Sequence, residues 1–316
     1  MFNILLIIPY AFALRLGLYF NMPKYQLDDK AWIYNKIADI FHFNGPYQYL
    51  WSIILVLIQA FLINYLVNRY KLNSEGQLFA GIVFIVLTGM HPATATIGPV
   101  QLANVFLILA MTQIMGIYIK KQAALQLYNF GLFIGLASLI YPPYIWFLVL
   151  GIAGITILKS FNWKEWLQLM AGWINVVFLL FVLVYFTGTE SEFYNIQIKA
   201  YLSSYIIHLS PGLKGLILMI ILFILLLLTL IQYNFYRIKR IVIIQKYYDF
   251  MFWTAFCSLL SLFFVKIEDC SHLILLITPL SILVALLLTK IKNPLLSETV
   301  HLLFAFSALF LQIQNW

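Results

Sequence analysis

Two adjacent carboxylates, Asp28 and Asp29, follow the first apolar run of the chain and are succeeded by Lys30. Paired carboxylates at a membrane surface offer hard oxygen ligands to a divalent cation such as Mg²⁺ or Mn²⁺, and a positioned one can take a hydroxyl proton as a general base. A solvated loop pair with no chemistry is the plain alternative, because exposed Asp is common. Arg15 lies inside the first apolar run, where burying a charge is costly unless it pairs or snorkels. It is therefore either a snorkelling or ion-paired side chain, or a contact for an anion. His91, Glu190 and Glu192 stand in later loops. A lone loop His is usually a hydrogen-bonded surface residue, so His91, with His42 and His208, points only weakly to a polar pocket. No HExxH, Walker, GxSxG or CxxC pattern occurs, which removes the commonest soluble catalytic sites. Cys257 and Cys270 are too few and too differently placed for a disulfide framework or a zinc site.

The elements that must position these residues follow from composition. Hydrophobic residues make up 64% of the chain, charged residues only 9%, and the mean hydropathy is +0.95; the surface of a soluble domain could not be covered. The reading is an all-α, polytopic integral membrane protein, one transmembrane domain over 1–316. A helix needs ~20 apolar residues to cross the hydrocarbon core, and the runs fall at 4–20, 49–68, 77–92, 99–119, 126–141, 143–158, 165–187, 213–234, 249–265, 272–290 and 298–314, about 11 spans by that measure. Between the fifth and sixth, Tyr141-Pro142-Pro143-Tyr144 makes a tight turn at the membrane edge plausible, since a Pro-Pro step removes two backbone donors. The first run lacks the basic start of a cleaved signal and is read as a retained span.

The formal net charge of +8 comes from clusters between apolar runs, where Lys and Arg set orientation, so nucleic acid is not expected as a partner. Sorting the basic residues onto alternate sides puts the larger share, including Arg69, Lys71, Lys120, Lys121, Lys159, Lys164, Arg237, Lys239 and Arg240, on one side. By the positive-inside rule that side is cytoplasmic, with the N-terminus there and the C-terminus on the outer, periplasmic side of a bacterial inner membrane. Most carboxylates, among them Asp28, Asp29, Glu190 and Glu192, fall outside, which is where acid–base chemistry is expected. Two outer segments carry helical apolar stripes: Ile33, Ile37, Ile40 and Phe41 in 29–43, and Tyr194, Ile198, Tyr201, Leu202, Tyr205 and Leu209 in 190–210. Both are read as helices lying in the interface. The basic segment 236–248 is read either as a headgroup-contacting helix or as a charged connector.

The stretch Leu27-Asp28-Asp29-Lys30-Ala31-Trp32-Ile33-Tyr34 and the turn Asn44-Gly45-Pro46-Tyr47, together with His91-Pro92, Gln101–Phe106 and Gly131–Ala137, resemble the GT-C class of polytopic membrane glycosyltransferases, over roughly residues 1–160; 161–316 would add further spans. The layout is also similar to bacterial inner-membrane proteins of this size. The GT-C resemblance implies sugar transfer from a polyprenyl-phosphate carrier on the periplasmic face, with Asp28 or Asp29 as base or ligand of a divalent cation and Arg15 or Lys30 near the phosphate. The class typically carries a further acid in the second outer loop. Residues 91–99 contain none, and Glu190 or Glu192 would replace it only if their loop folds back over the first. The alternative is a non-catalytic subunit of an inner-membrane complex for protein export or envelope biogenesis, in contact with membrane lipids and protein partners.

Overall fold

The computed structural model describes residues 2–17, 31–43, 45–73, 79–118, 120, 122–159, 162–199, 212–234, 241–263, 270–289 and 294–313. All regular structure among them is helical. The principal helices are α1 (Phe2–Ala13), α2 (Trp32–Phe41), α3 (Gly45–Arg69), α4 (Phe79–Gly89), α5 (Pro99–Met115), α6 (Ala124–Ile140), α7 (Phe147–Leu158), α8 (Trp163–Thr187), α9 (Leu213–Ile231), α10 (Val242–Leu262), α11 (Ile274–Leu288) and α12 (Pro294–Ile313). Backbone N–H and C=O groups have no water to bond in a bilayer, and helices satisfy them internally. Four helices are long and apolar enough to cross a membrane: Tyr47–Arg69, Trp163–Thr187, Leu213–Ile231 and Ser271–Leu288. The apolar helices Phe79–Gly89, Pro99–Met115, Ala124–Ile140, Pro142–Leu158 and Leu302–Gln312 are shorter.

At the centre is α11, whose span is 89% buried against 28% for α8 and 33% for α9. It packs against α4, α5, α9 and α10, while α6 lies between α5 and α8. The close approach of α6 to α8 rests on two glycines. A Cβ on Gly131 would strike the Leu169 carbonyl oxygen and one on Gly172 the Tyr128 carbonyl oxygen, so small residues let the two backbones meet, as is usual where lipid supplies no hydrophobic drive. The exposed sides of α8 and α9 carry Ile174, Phe178, Phe181, Ile220, Phe223 and Ile224, the apolar surface expected of lipid-facing helices.

The Pro142-Pro143 turn forms as expected. A 3₁₀ turn over Pro142–Trp146 joins α6 directly to α7, and Tyr144 is fully buried with its hydroxyl donating to the Val100 carbonyl at 3.1 Å.

The structure adds three features to the non-spanning segments. In α2 the buried residues are Trp32, Tyr34 and Ala38, whereas Ile40 and Phe41 of the expected stripe are exposed. Tertiary bonds decide the face: the Tyr34 hydroxyl donates to the Ile97 carbonyl at 3.4 Å and Trp32 packs edge-on against Phe193. In the second segment a short helix Glu190–Phe193 runs into a π-helical turn Tyr194–Lys199, which buries Phe193 and Gln197 and exposes Tyr194. The wider turn breaks the 3.6-residue period on which the stripe was drawn; Tyr201, Leu202, Tyr205, His208 and Leu209 lie outside the described residues. Residues 242–248, finally, are the first turns of α10, with Tyr247 and Tyr248 buried and the Lys246 ammonium 5.2 Å from the Tyr118 ring centre.

Candidate functional site

At one end of the bundle, the Tyr141 end, several connecting turns meet among the described residues. The 3₁₀ turn Ser271–Leu273, which leads into α11, meets the four-residue helix Pro92–Ala95 and the start of α5. Cys270 turns the chain at φ 60°, a left-handed conformation that costs a non-glycine residue energy, and so delivers His272 into the interior. The His272 ring is 2% exposed, with Nδ1 3.0 Å from the Tyr141 hydroxyl and Nε2 2.9 Å from Ser261 Oγ. The Ser261 hydroxyl is also 2.7 Å from the Ser258 carbonyl; with its proton directed there Nε2 carries the N–H and Nδ1 accepts from Tyr141, and in the other tautomer the roles reverse. In either case the imidazole joins α10, the Pro142-Pro143 turn and the start of α11, sealed from solvent, and the chain Ser261–His272–Tyr141 is a structural tie.

A second polar cluster lies at the same end, between α1, α4 and α12. Arg15, just beyond α1, is 0% exposed. Nη2 donates to Thr88 Oγ1 at 3.1 Å, while Nε and Nη1 have no hydrogen-bond partner among the described residues. The Thr88 hydroxyl lies 2.8 Å from the Phe84 carbonyl, to which it donates. Beside it, Gln312 Nε2 donates to the Leu14 carbonyl at 2.6 Å and to the Gly89 carbonyl, tying α12 to α1 and α4, and Gln312 Oε1 is buried without a partner. The ion pairs among the described residues are Lys36–Glu192 and Lys159–Glu165; neither includes Arg15.

The third feature joins the two segments read as interfacial helices. Gln197 Oε1 accepts from the Trp32 backbone N–H at 2.8 Å and Gln197 Nε2 donates to the Leu139 carbonyl at 2.9 Å, so one buried amide connects the start of α2, the π-helical turn and the end of α6. Trp32, Leu180, Val184 and Phe193 pack together around it. On the surface Lys36 Nζ is 3.5 Å from Glu192 Oε1 and 5.5 Å from the Trp32 ring centre. The segment Glu190–Lys199 thus folds onto the helix that follows Asp28-Asp29, the condition on which a role for Glu192 depended.

Of the residues singled out in the sequence, Arg15, His91, Glu190 and Glu192 are described, and Asp28, Asp29 and Lys30 lie outside the described residues. Arg15 is buried, and His91 uses Nδ1 to accept from the Ala93 N–H at 3.2 Å, capping the helix Pro92–Ala95. Glu190 is exposed in the first turn of its helix and Glu192 is paired with Lys36. No group of three or more His, Cys, Asp or Glu suited to a metal ion occurs among the described residues.

Sequence reasoning missed His272, Thr88, Gln197 and Gln312. The signal for His272 was a histidine at the very start of an apolar run; for the others nothing in the local pattern marks the partner. It also missed a buried network deeper in the bundle. Gln59 Nε2 donates to the Gln101 carbonyl at 2.7 Å, Asn104 Nδ2 donates to Gln59 Oε1 at 3.0 Å, and the Thr278 hydroxyl lies 2.9 Å from Asn104 Oδ1, to which it donates. Residues that look scattered along the chain thereby tie α3, α5 and α11 together. Comparison with family models, with curated proteins and with solved structures finds no match to this chain.

Proposed function

We propose that this chain is a GT-C-like membrane protein of about 11 spans that transfers sugar from a polyprenyl-phosphate carrier on the periplasmic face of a bacterial inner membrane. The Tyr141 end is its working face, with the N-terminus cytoplasmic and the C-terminus periplasmic. The observation that supports it best is the fold-back of Glu190–Lys199 onto α2, with Gln197 bonded to Trp32 and Glu192 to Lys36. It brings a second acidic segment against the helix that Asp28-Asp29 introduces. In this reading Asp28 or Asp29 is the general base or binds a divalent cation, Glu192 completes the acidic pair, and Lys30 stands near the carrier phosphate.

The test is purification in mild detergent from native membranes, with mass spectrometry of co-purifying lipids and proteins. A polyprenyl-phosphate sugar that co-purifies with the parent protein and is lost in the Asp28→Asn/Asp29→Asn variant is the expected result. Stoichiometric protein partners with no lipid-linked sugar would replace it with the subunit reading, in which the same face docks onto other components of an envelope complex.

A further inference from the structure

The buried guanidinium of Arg15 calls for an anion that the described residues do not provide. An unpaired charge inside a bilayer protein is strongly unfavourable, yet Arg15 is 0% exposed, two of its three nitrogens have no partner and its one bond goes to a neutral hydroxyl. Arginine presents planar, forked donors that fit the oxygens of a phosphate. A cavity of about 10 Å³ lined by Val83, Val86, Leu87, Val284, Leu288 and Phe304 lies between α4, α11 and α12, which is room for a water and not for an acyl chain, so hydrocarbon belongs on the outer surface beside Arg15.

The surroundings place the occupant on the bilayer side. Ile8, Phe12 and Leu16 of the α1 segment are exposed, as are Leu302, Leu303, Phe306 and Phe310 of α12, so apolar surface flanks the pocket. The main packing partner of α1 among the described residues is α3, so the segment that carries Arg15 is the element whose movement would give a lipid phosphate access to the guanidinium.

We propose that Arg15, Thr88 and Gln312 form a binding site for the phosphate of a bilayer phospholipid, whose acyl chains lie along the exposed apolar faces of the α1 segment and α12. Arg15 Nε and Nη1 donate to the phosphate oxygens. A glycerol or headgroup hydroxyl donates to Gln312 Oε1, since an amide oxygen cannot bind the anion itself. The site requires neither sugar transfer nor the Asp28-Asp29 pair, so it stands or falls separately from the proposed activity.

The experiment uses full-length protein stripped of lipid in detergent, with thermal unfolding followed on addition of phosphatidylglycerol, diacylglycerol of the same acyl chains, inorganic phosphate or undecaprenyl phosphate. Phosphatidylglycerol alone is expected to raise Tm, with an affinity at least tenfold weaker in Arg15→Gln. An equal rise with diacylglycerol removes the phosphate contact, and a rise with inorganic phosphate alone removes the lipid. A response to undecaprenyl phosphate alone reassigns the pocket to a carrier lipid, and an unchanged response to phosphatidylglycerol in Arg15→Gln overturns the site. If the variant fails to fold, the parent protein's response to the four probes decides by itself.

Discussion

Two buried polar clusters at the Tyr141 end differ in how completely their atoms are used. Around His272 both ring nitrogens are bonded, and the Ser261 and Tyr141 hydroxyls complete the chain. Around Arg15 one nitrogen is bonded, two are not, and the nearby Gln312 oxygen is also left over. Both clusters are sealed from solvent, so burial does not distinguish them. A satisfied network rigidifies the fold, whereas one with surplus donors is costly until something else supplies the acceptors. The first reads as architecture and the second as a site.

Substitutions can sharpen or break this contrast. The largest effect is expected at His272: His272→Leu strands the Tyr141 hydroxyl and removes the tie between α10 and α11, costing about 2–4 kcal/mol from two lost buried partners. Thermal unfolding in detergent should show it equally with and without added lipid. A loss that lipid restores would make His272 part of a binding site. Arg15→Gln should behave oppositely. In lipid-stripped protein it leaves stability unchanged or raises it by about 1–2 kcal/mol, because removing an uncompensated buried charge offsets the lost Thr88 bond. A fall of that size without lipid would show that Arg15 is already satisfied.

Smaller effects serve as calibration. Asn104→Ala removes the centre of the Gln59–Asn104–Thr278 chain and should cost about 1 kcal/mol, since interhelical bonds in membranes are worth roughly 0.6 kcal/mol each and Gln59 Oε1 loses its donor, whereas the Thr278 hydroxyl keeps the Ile274 carbonyl. Steric trapping or denaturant unfolding would measure it. Glu192→Gln should cost under about 1 kcal/mol and lose its effect in high salt, because the pair with Lys36 is exposed. If sugar transfer is the activity and Glu192 completes its acidic pair, the same variant lowers turnover far more than stability. Equal small losses in both would leave Glu192 as a surface ion pair.

Much of the fold is legible in the sequence because it depends on local composition. Long apolar runs bounded by polar clusters can satisfy their backbone only as helices, and Pro142-Pro143 marks the turn between α6 and α7 through missing N–H donors. In α2 and in Glu190–Lys199 the stripe residues Ile40, Phe41 and Tyr194 are exposed, while the bonds of Tyr34 to Ile97 and of Gln197 to Trp32 and Leu139, which periodicity does not indicate, hold the inner face. Arg15 was recognisable as a problem, a charge within an apolar run. Its surroundings were not, because Thr88 and Gln312 come from helices far along the chain.

The sequence by itself determines that this is a helical, strongly apolar chain and marks Arg15, Asp28-Asp29 and Glu192 as the charges to explain. Only the tertiary structure decides that Gln59, Asn104 and Thr278 form one network, that His272 is a tie, and that Arg15 keeps two donors without partners. The physical reason is that helix formation follows from each segment's own backbone and composition. Whether a buried polar atom is satisfied depends on which distant helix lies beside it.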